Sequence, residues 1–271
     1  MGGWDNCVVT VGADTIPHPF HPGETLTMPD HGDAWLQKVA TRVEGQTLAT
    51  TWRGLQLPYE FTQKIGIDEA GDVRFDYQLR NTGDRAFPAL WASHPLLPLD
   101  AQTRVHIPAG TPFTVDNDVK PALGLAFGPH AWPLATLKDG RVVDLSNPAA
   151  LSQQLGGKTF ACKLFFTLPE SEQRPFGIQQ GDQVLEMRFD APVQRDFGMW
   201  INWGGWAPDD TADKRFHDAD GHGYYNIGFY PALGGTSDKL SNAIARKENL
   251  VLEPNAAALE FSIRVSVRPA S

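Results

Sequence analysis

The segment "DVRFDYQLRNTGDRAFPALWASHPLL", residues 72–97, carries two strand signals joined by one turn. Over 72–79, Val73, Phe75, Tyr77 and Leu79 alternate with Arg74, Asp76 and Gln78, the period of a strand with one face in a core. Asn81-Thr82-Gly83-Asp84 follows, a composition that bonds its own backbone and tolerates unusual φ, so the chain turns there. Residues 88–96 are almost continuously apolar, which predicts a buried strand. One residue interrupts the run. His94 stands where leucine would pack as well and need no hydrogen-bond partner, so it is either silenced by a main-chain carbonyl or kept for proton chemistry.

The same signals recur along the chain. Strands are predicted over 47–52, 59–67, 163–168, 184–189, 198–203 and 258–267, with Gly, Pro, Asn and Asp clusters such as Glu69-Ala70-Gly71-Asp72 between them. Only 148–155 and 237–247 read as helices, the first capped by Asn147 before Pro148, the second started by Ser237 and Asp238. With 26 glycines, 21 prolines and long polar connections over 12–33 and 208–223, the expectation is an all-β fold. Its form is a large twisted antiparallel β-sandwich of mostly local meander, with one or two short helices and loops that build a cleft. No composition shift marks a boundary, so 1–271 is read as one domain.

Composition removes several classes of function. A chain of 271 residues buries roughly three quarters of its unfolded surface and needs no disulfides. Cys7 and Cys162 are the only cysteines, far apart in sequence, which fits a reducing, cytoplasmic setting. The net charge of −9 with scattered Lys and Arg leaves no basic stripe, so nucleic acid is not an expected partner. No apolar run is long enough to cross a bilayer, and no membrane partner is expected. His18-Pro19-Phe20-His21 and the 216–222 segment hold nitrogen and oxygen donors but match no zinc spacing, and "GGTSDK" at 234–239 lacks the phosphate-loop spacing. Neither a metal nor a cofactor is expected.

A further pattern lies in the order of four short elements. Gly2-Gly3-Trp4-Asp5, Pro29-Asp30-His31-Gly32, Tyr77 through Asp84, and Trp91-Ala92-Ser93-His94-Pro95 occur in succession, and "IGFYPALGGTSDKLSNAI" (227–244) and "NLVLEPNAAALEFSIRVSV" (249–267) close the chain. Together they resemble the aldose 1-epimerase (galactose mutarotase-like) family, over nearly the whole chain. The resemblance implies a supersandwich of the galactose mutarotase type and interconversion of the α and β anomers of a free aldose, without a cofactor. It also implies opening strands before Gly2-Gly3-Trp4-Asp5, and where these are missing, a sheet edge to be covered by a loop or by a second copy in a homodimer.

That chemistry protonates the ring oxygen while the anomeric hydroxyl loses its proton, so an acid and a base must flank the sugar. The resemblance carries the acid onto His94 and a sugar contact onto His31, with Asp5 and Trp4 beside them. Taken alone, a strand histidine is more often structural, and Asp30-His31-Gly32 is an ordinary turn. The general base is the point of departure: Tyr230 stands where the resemblance expects glutamate, and tyrosine, with a pKa of about 10, is a poor base at neutral pH. Glu253 falls near the last strand and does not replace it; Asp5, Asp209 and Asp210 are the other carboxylates considered. An arginine that often accompanies the first histidine is not evident either, Trp35 standing near its place. Trp200 and Asn202 share one strand face and form a candidate stacking and hydroxyl-binding pair, alongside Tyr230. A sugar-binding protein that has lost turnover is the competing reading.

Overall fold

The structure is a computed structural model and describes residues 3–115, 123–168, 176–193, 195–206 and 224–270. The alternation at 72–79 forms β7 (Val73–Asn81), and the apolar run forms β8 (Phe87–Pro98). In the turn between them the Gly83 N–H donates to the Asn81 Oδ1 at 2.7 Å. The two strands do not pair. They part into two antiparallel sheets that pack face to face.

The first sheet runs β1 (Gly3–Val9), β8, β18 (Tyr225–Leu233), β17 (Arg195–Trp203), β14 (Phe160–Leu168) and β10 (Pro112–Val115), and continues into three short strands at 128–144. The second runs β4 (Thr41–Glu44), β5 (Thr47–Arg53), β6 (Tyr59–Ile67), β7, β20 (Leu259–Pro269), β16 (Gln183–Asp190), β15 (Phe176–Gln180) and β9 (Arg104–His106). Between the layers Trp91 of β8 meets Tyr77 of β7 at 4.9 Å and Phe261 of β20 at 4.4 Å. All three rings are buried, each contributing about 1.5–3 kcal/mol of apolar burial.

The all-β, antiparallel sandwich with two short helices is the expected class, but the meander is not local throughout. β4 to β7 are successive hairpins, whereas β8 lies between β1 and β18, and β7 pairs with β20. The cause is in β8 itself: a strand apolar on both faces must sit inside a sheet, and its partners come from distant segments. The connection at 12–33 also departs from the reading, since it contains the hairpin of β2 (Asp14–Pro17) and β3 (Thr25–Met28). Asn147 caps α1 (Pro148–Gln154) as expected, its side chain accepting from the Ala150 N–H at 3.1 Å. Ser237 and Asp238 do not cap α2 (Leu240–Arg246); Lys239 holds that position without a side-chain cap bond.

Among the described strands β1 pairs only with β8. Its other flank meets the turn at 29–32, through a bridge between Val8 and Gly32. No helix of the described residues is long and apolar enough to cross a membrane. Both cysteines are free and buried.

Candidate functional site

Strand alternation sets which side chains of β1 face outward. Trp4 turns into the sandwich, stacks on Phe75 at 4.3 Å and donates its indole N–H to the Ser93 hydroxyl. Asp5 and Cys7 lie on the opposite, outer face. The register pairs Asp5 with His94, whose ring also faces outward from β8. Beyond it, β18 pairs with β8 at Gly228–Leu96 and at Ala232–Ala92, which places Tyr230 beside His94. Their rings stack at 4.4 Å with 7° between planes.

The turn at 29–32 supplies the second histidine. His31 adopts φ 62° and Gly32 φ 69°, the left-handed region that glycine enters freely. A Cβ on Gly32 would lie 2.1 Å from the Val8 carbonyl oxygen, so only glycine lets the turn dock on β1. The His31 N–H donates to the Val11 carbonyl at 2.6 Å and fixes the ring above Asp5. Its imidazole stands 4.6 Å from that of His94 and 4.5 Å from the Trp35 indole, which is half exposed.

One carboxylate therefore serves two imidazoles. His31 Nδ1 lies 2.8 Å from Asp5 Oδ2, and His94 Nδ1 lies 3.5 Å from Asp5 Oδ1. An ionised carboxylate only accepts, so both Nδ1 atoms carry hydrogen and the Nε2 atoms are left for other partners, that of His31 lying 3.8 Å from Asp30 Oδ2. Burial acts to raise the Asp5 pKa, but the hydrogen bonds and charges of His31 and His94 outweigh it and hold the carboxyl well below the usual range. His94 is lowered, first by burial and then by the charges of Lys163 and His31, against the opposing pull of Asp5. Burial pushes the Tyr230 hydroxyl well above its ordinary value, so it is no phenolate base.

Tyr230 is walled in from both sides of the strand order. Its ring lies against two glycines: a Cβ on Gly198 would come within 2.4 Å of it, and one on Gly228 within 2.5 Å. From β14, the Lys163 ammonium sits 4.7 Å from the ring centre and 2.5 Å from Asp238 Oδ1. Neither Lys163 nor Asp238 was read as a site residue in the sequence, where Asp238 served only as a helix-start signal. A lysine in an apolar strand carries a weak signal for such a pair, but its partner lies 75 positions away and only the fold joins them.

The other candidates divide. Trp200 lies on the same outer face, half buried, with its indole N–H donating to Asn226 Oδ1 at 2.8 Å. Asn202 is fully buried and its amide is spent on a turn: it accepts from the Gly205 and Trp206 N–H groups, both at 3.0 Å, and donates to the Trp206 carbonyl at 2.9 Å. Three of its hydrogen-bonding positions are thus spent on the turn, and Trp4 faces the core. Asp209, Asp210 and the 216–222 segment lie outside the described residues.

A broad trough of about 1370 Å³ lies on the other sheet, along β7 and β20. Arg74 pairs there with Asp76 at 2.7 Å, the Gln78 amide donates to Glu260 Oε1 at 2.9 Å, and none of the histidines lines it. The cluster around Asp5 is the better equipped for proton transfer.

With architecture and cluster in view, solved structures supply the comparison. A candidate aldose 1-epimerase of Escherichia coli K12 aligns with 98% of this chain and 84% of its own, at TM-score 0.64 and 15% identity. A GalM/aldose epimerase homologue of C. elegans aligns over 97% and 82%, at 0.61 and 10%. The fold is that of the galactose mutarotase-like proteins. A galactose mutarotase-like protein of Clostridium acetobutylicum agrees, over 98% of this chain and 79% of its own, at 0.60 and 12%. No family model and no curated protein sequence matches the chain. The mutarotase-like sandwich thus stands on structure, and the ordered motifs read from the sequence fall on it.

Proposed function

We propose that the chain is an aldose 1-epimerase-like enzyme that interconverts the anomers of a free monosaccharide by proton transfer between imidazoles and sugar oxygens. The observation that carries this reading is the single Asp5 carboxylate touching Nδ1 of both His31 and His94. A protonated His94 gives its Nε2 proton to the ring oxygen, while His31, oriented by Asp5, takes the proton of the anomeric hydroxyl at Nε2. The C1–O5 bond breaks and the open aldehyde forms. Rotation about C1–C2 and the reverse transfers close the other anomer and return both protons. Asp5 orients the rings and does not serve as the base, since its lone pairs already accept from both and its basicity is low. The base expected at position 230 is thereby supplied by a histidine. Trp200 and Trp35 offer indole surface for the apolar face of a pyranose.

One observation favours a second reading, a sugar-binding protein without turnover: position 230 carries no carboxylate, and among the described residues Asp5 is held by the histidines and Asp238 by Lys163. Anomeric equilibration of fresh α-D-glucose and α-D-galactose, followed by polarimetry or NMR, separates the two. Wild type is expected to exceed the buffer rate, and His94→Asn to lose about 10²-fold or more. Sugar binding by calorimetry with no rate above buffer selects the second reading. Absence of both binding and rate removes both.

A further inference from the structure

The outer face of β1 also assembles a donor set that proton transfer to a sugar does not require. The ligand atoms of Asp5, Cys7 and His31 all lie within 4.8 Å of one another. Asp5 and Cys7 are two apart on one strand and so share a face, and the left-handed turn at His31 lowers a ring onto them. His94 Nδ1 stands 3.5 Å from Asp5 Oδ1, at the rim of the same group. Carboxylate, thiol and imidazole together form the mixed oxygen, sulfur and nitrogen set that suits zinc-class cations rather than magnesium or calcium. A tetrahedral ion with bonds of about 2.0–2.3 Å sets its ligands roughly 3.5 Å apart, so contraction of about 1 Å suffices. The Asp5 and His31 side chains are partly open to solvent, which gives an ion a path of entry.

We propose that Asp5, Cys7 and His31 form a binding site for a thiophilic divalent cation of the zinc class, which inhibits proton transfer by taking the carboxylate and imidazole out of service. The fourth position belongs to water or His94. On binding, the Cys7 S–H bond breaks, a sulfur–metal bond forms, and the proton leaves to solvent; the Asp5 carboxylate and a neutral His31 nitrogen add as lone-pair donors without net proton change. The bound charge then balances, two positive on the metal against one each on thiolate and carboxylate. Because the thiol gives up its proton on ligation, occupation is proton-linked and strengthens as pH rises. The metal site does not rest on the sugar reading, because its primary readout is optical.

Cobalt(II) titration of the purified protein tests it. The expected result is saturable binding with a near-ultraviolet thiolate-to-cobalt charge-transfer band, displaced by zinc, with release of about one proton per ion in calorimetry across buffers. Cys7→Ser is expected to abolish the band and weaken binding about tenfold or more, whereas Cys162→Ser, which alters the other buried thiol, keeps both. A cadmium NMR shift in the single-thiolate range checks ligation in wild type, should the Cys7 variant fail to fold. No charge-transfer band in wild type, or a band that survives Cys7→Ser, overturns the proposal. In the polarimetric assay zinc is expected to suppress any rate above buffer; a saturated site with an undiminished rate refutes the inhibition.

Discussion

Replacing Asp5 by Asn keeps the shape of the side chain and removes its charge, so it tests the shared carboxylate directly. Two contacts are at stake, 2.8 Å to His31 and 3.5 Å to His94. A hydrogen bond to a charged group contributes about 1.5–3 kcal/mol. At about 1.36 kcal/mol per pH unit, losing such a contact moves the titration of a partner by about one to two units. For His94 the direction is downward: burial already lowers its pKa, and Asp5 is what opposes that. If His94 delivers the proton as imidazolium, a one-unit fall cuts its protonated fraction at pH 7 about tenfold. The activity profile then shifts to the acid side by the same interval. Stability follows its own sign. The wild-type Asp5 carboxyl is held low when folded, so its contribution is complete above the unfolded pKa of about 4 and is lost as pH falls below it. Urea unfolding is expected to show Asp5→Asn weaker by about 1.5–3 kcal/mol at pH 7, with the gap closing in acid. His94 is followed by its ring Cε1–H resonance in an NMR titration. An unmoved His94 midpoint in a folded Asp5→Asn protein would refute the shared-carboxylate reasoning.

Two further substitutions test packing around the cluster. Gly198→Ala drives a methyl to within 2.4 Å of the Tyr230 ring and is expected to cost about 1–3 kcal/mol in urea unfolding, with the His94 resonance displaced because its stacking partner moves. Asn202→Ala orphans the buried Gly205 N–H and the part-buried Trp206 N–H and is expected to cost about 1–3 kcal/mol, while sugar affinity by calorimetry stays that of wild type.

How much of this was legible beforehand depended on whether the signal was local. Strand β6 over 59–67 and the cap at Asn147 came from periodicity and a short-range bond, and both stand in the structure as read. β18 was not read as a strand, because Ile227 to Leu233 interleaves Gly228 and Pro231, residues that ordinarily end a strand. The glycine is there because the Tyr230 ring needs its place. In the cluster, alternation placed Trp200 on a face, but it did not reveal that the Asn202 side chain would bond a turn three residues later. Nor does adjacency assign a face: Trp4 and Asp5 are neighbours in sequence and point to opposite sides of one sheet. Convergence of His31 with His94 came from the order of motifs and not from any local rule.

Tyr230 is embedded in compensating features, and a single reversal is therefore expected to fail. Tyr230→Glu would restore the residue type that the family resemblance places there. In this chain the position is buried, and Asp5 and Asp238 already act on it as negative charges. Lys163, the nearby cation, is engaged by Asp238 at 2.5 Å. Burial and like charge both raise a carboxyl pKa, so the new glutamate is expected to be protonated near neutral pH and unable to act as a base. The variant also loses the ring stacked on His94, about 0.5–1.5 kcal/mol, and opens space over Gly198 and Gly228 that no other side chain fills. The expected outcome is a less stable protein with an anomerisation rate at or below that of wild type. A rate gain of about 10²-fold, the scale of a restored general base, would show that position 230 still governs catalysis and that the imidazole pair had not taken the role over.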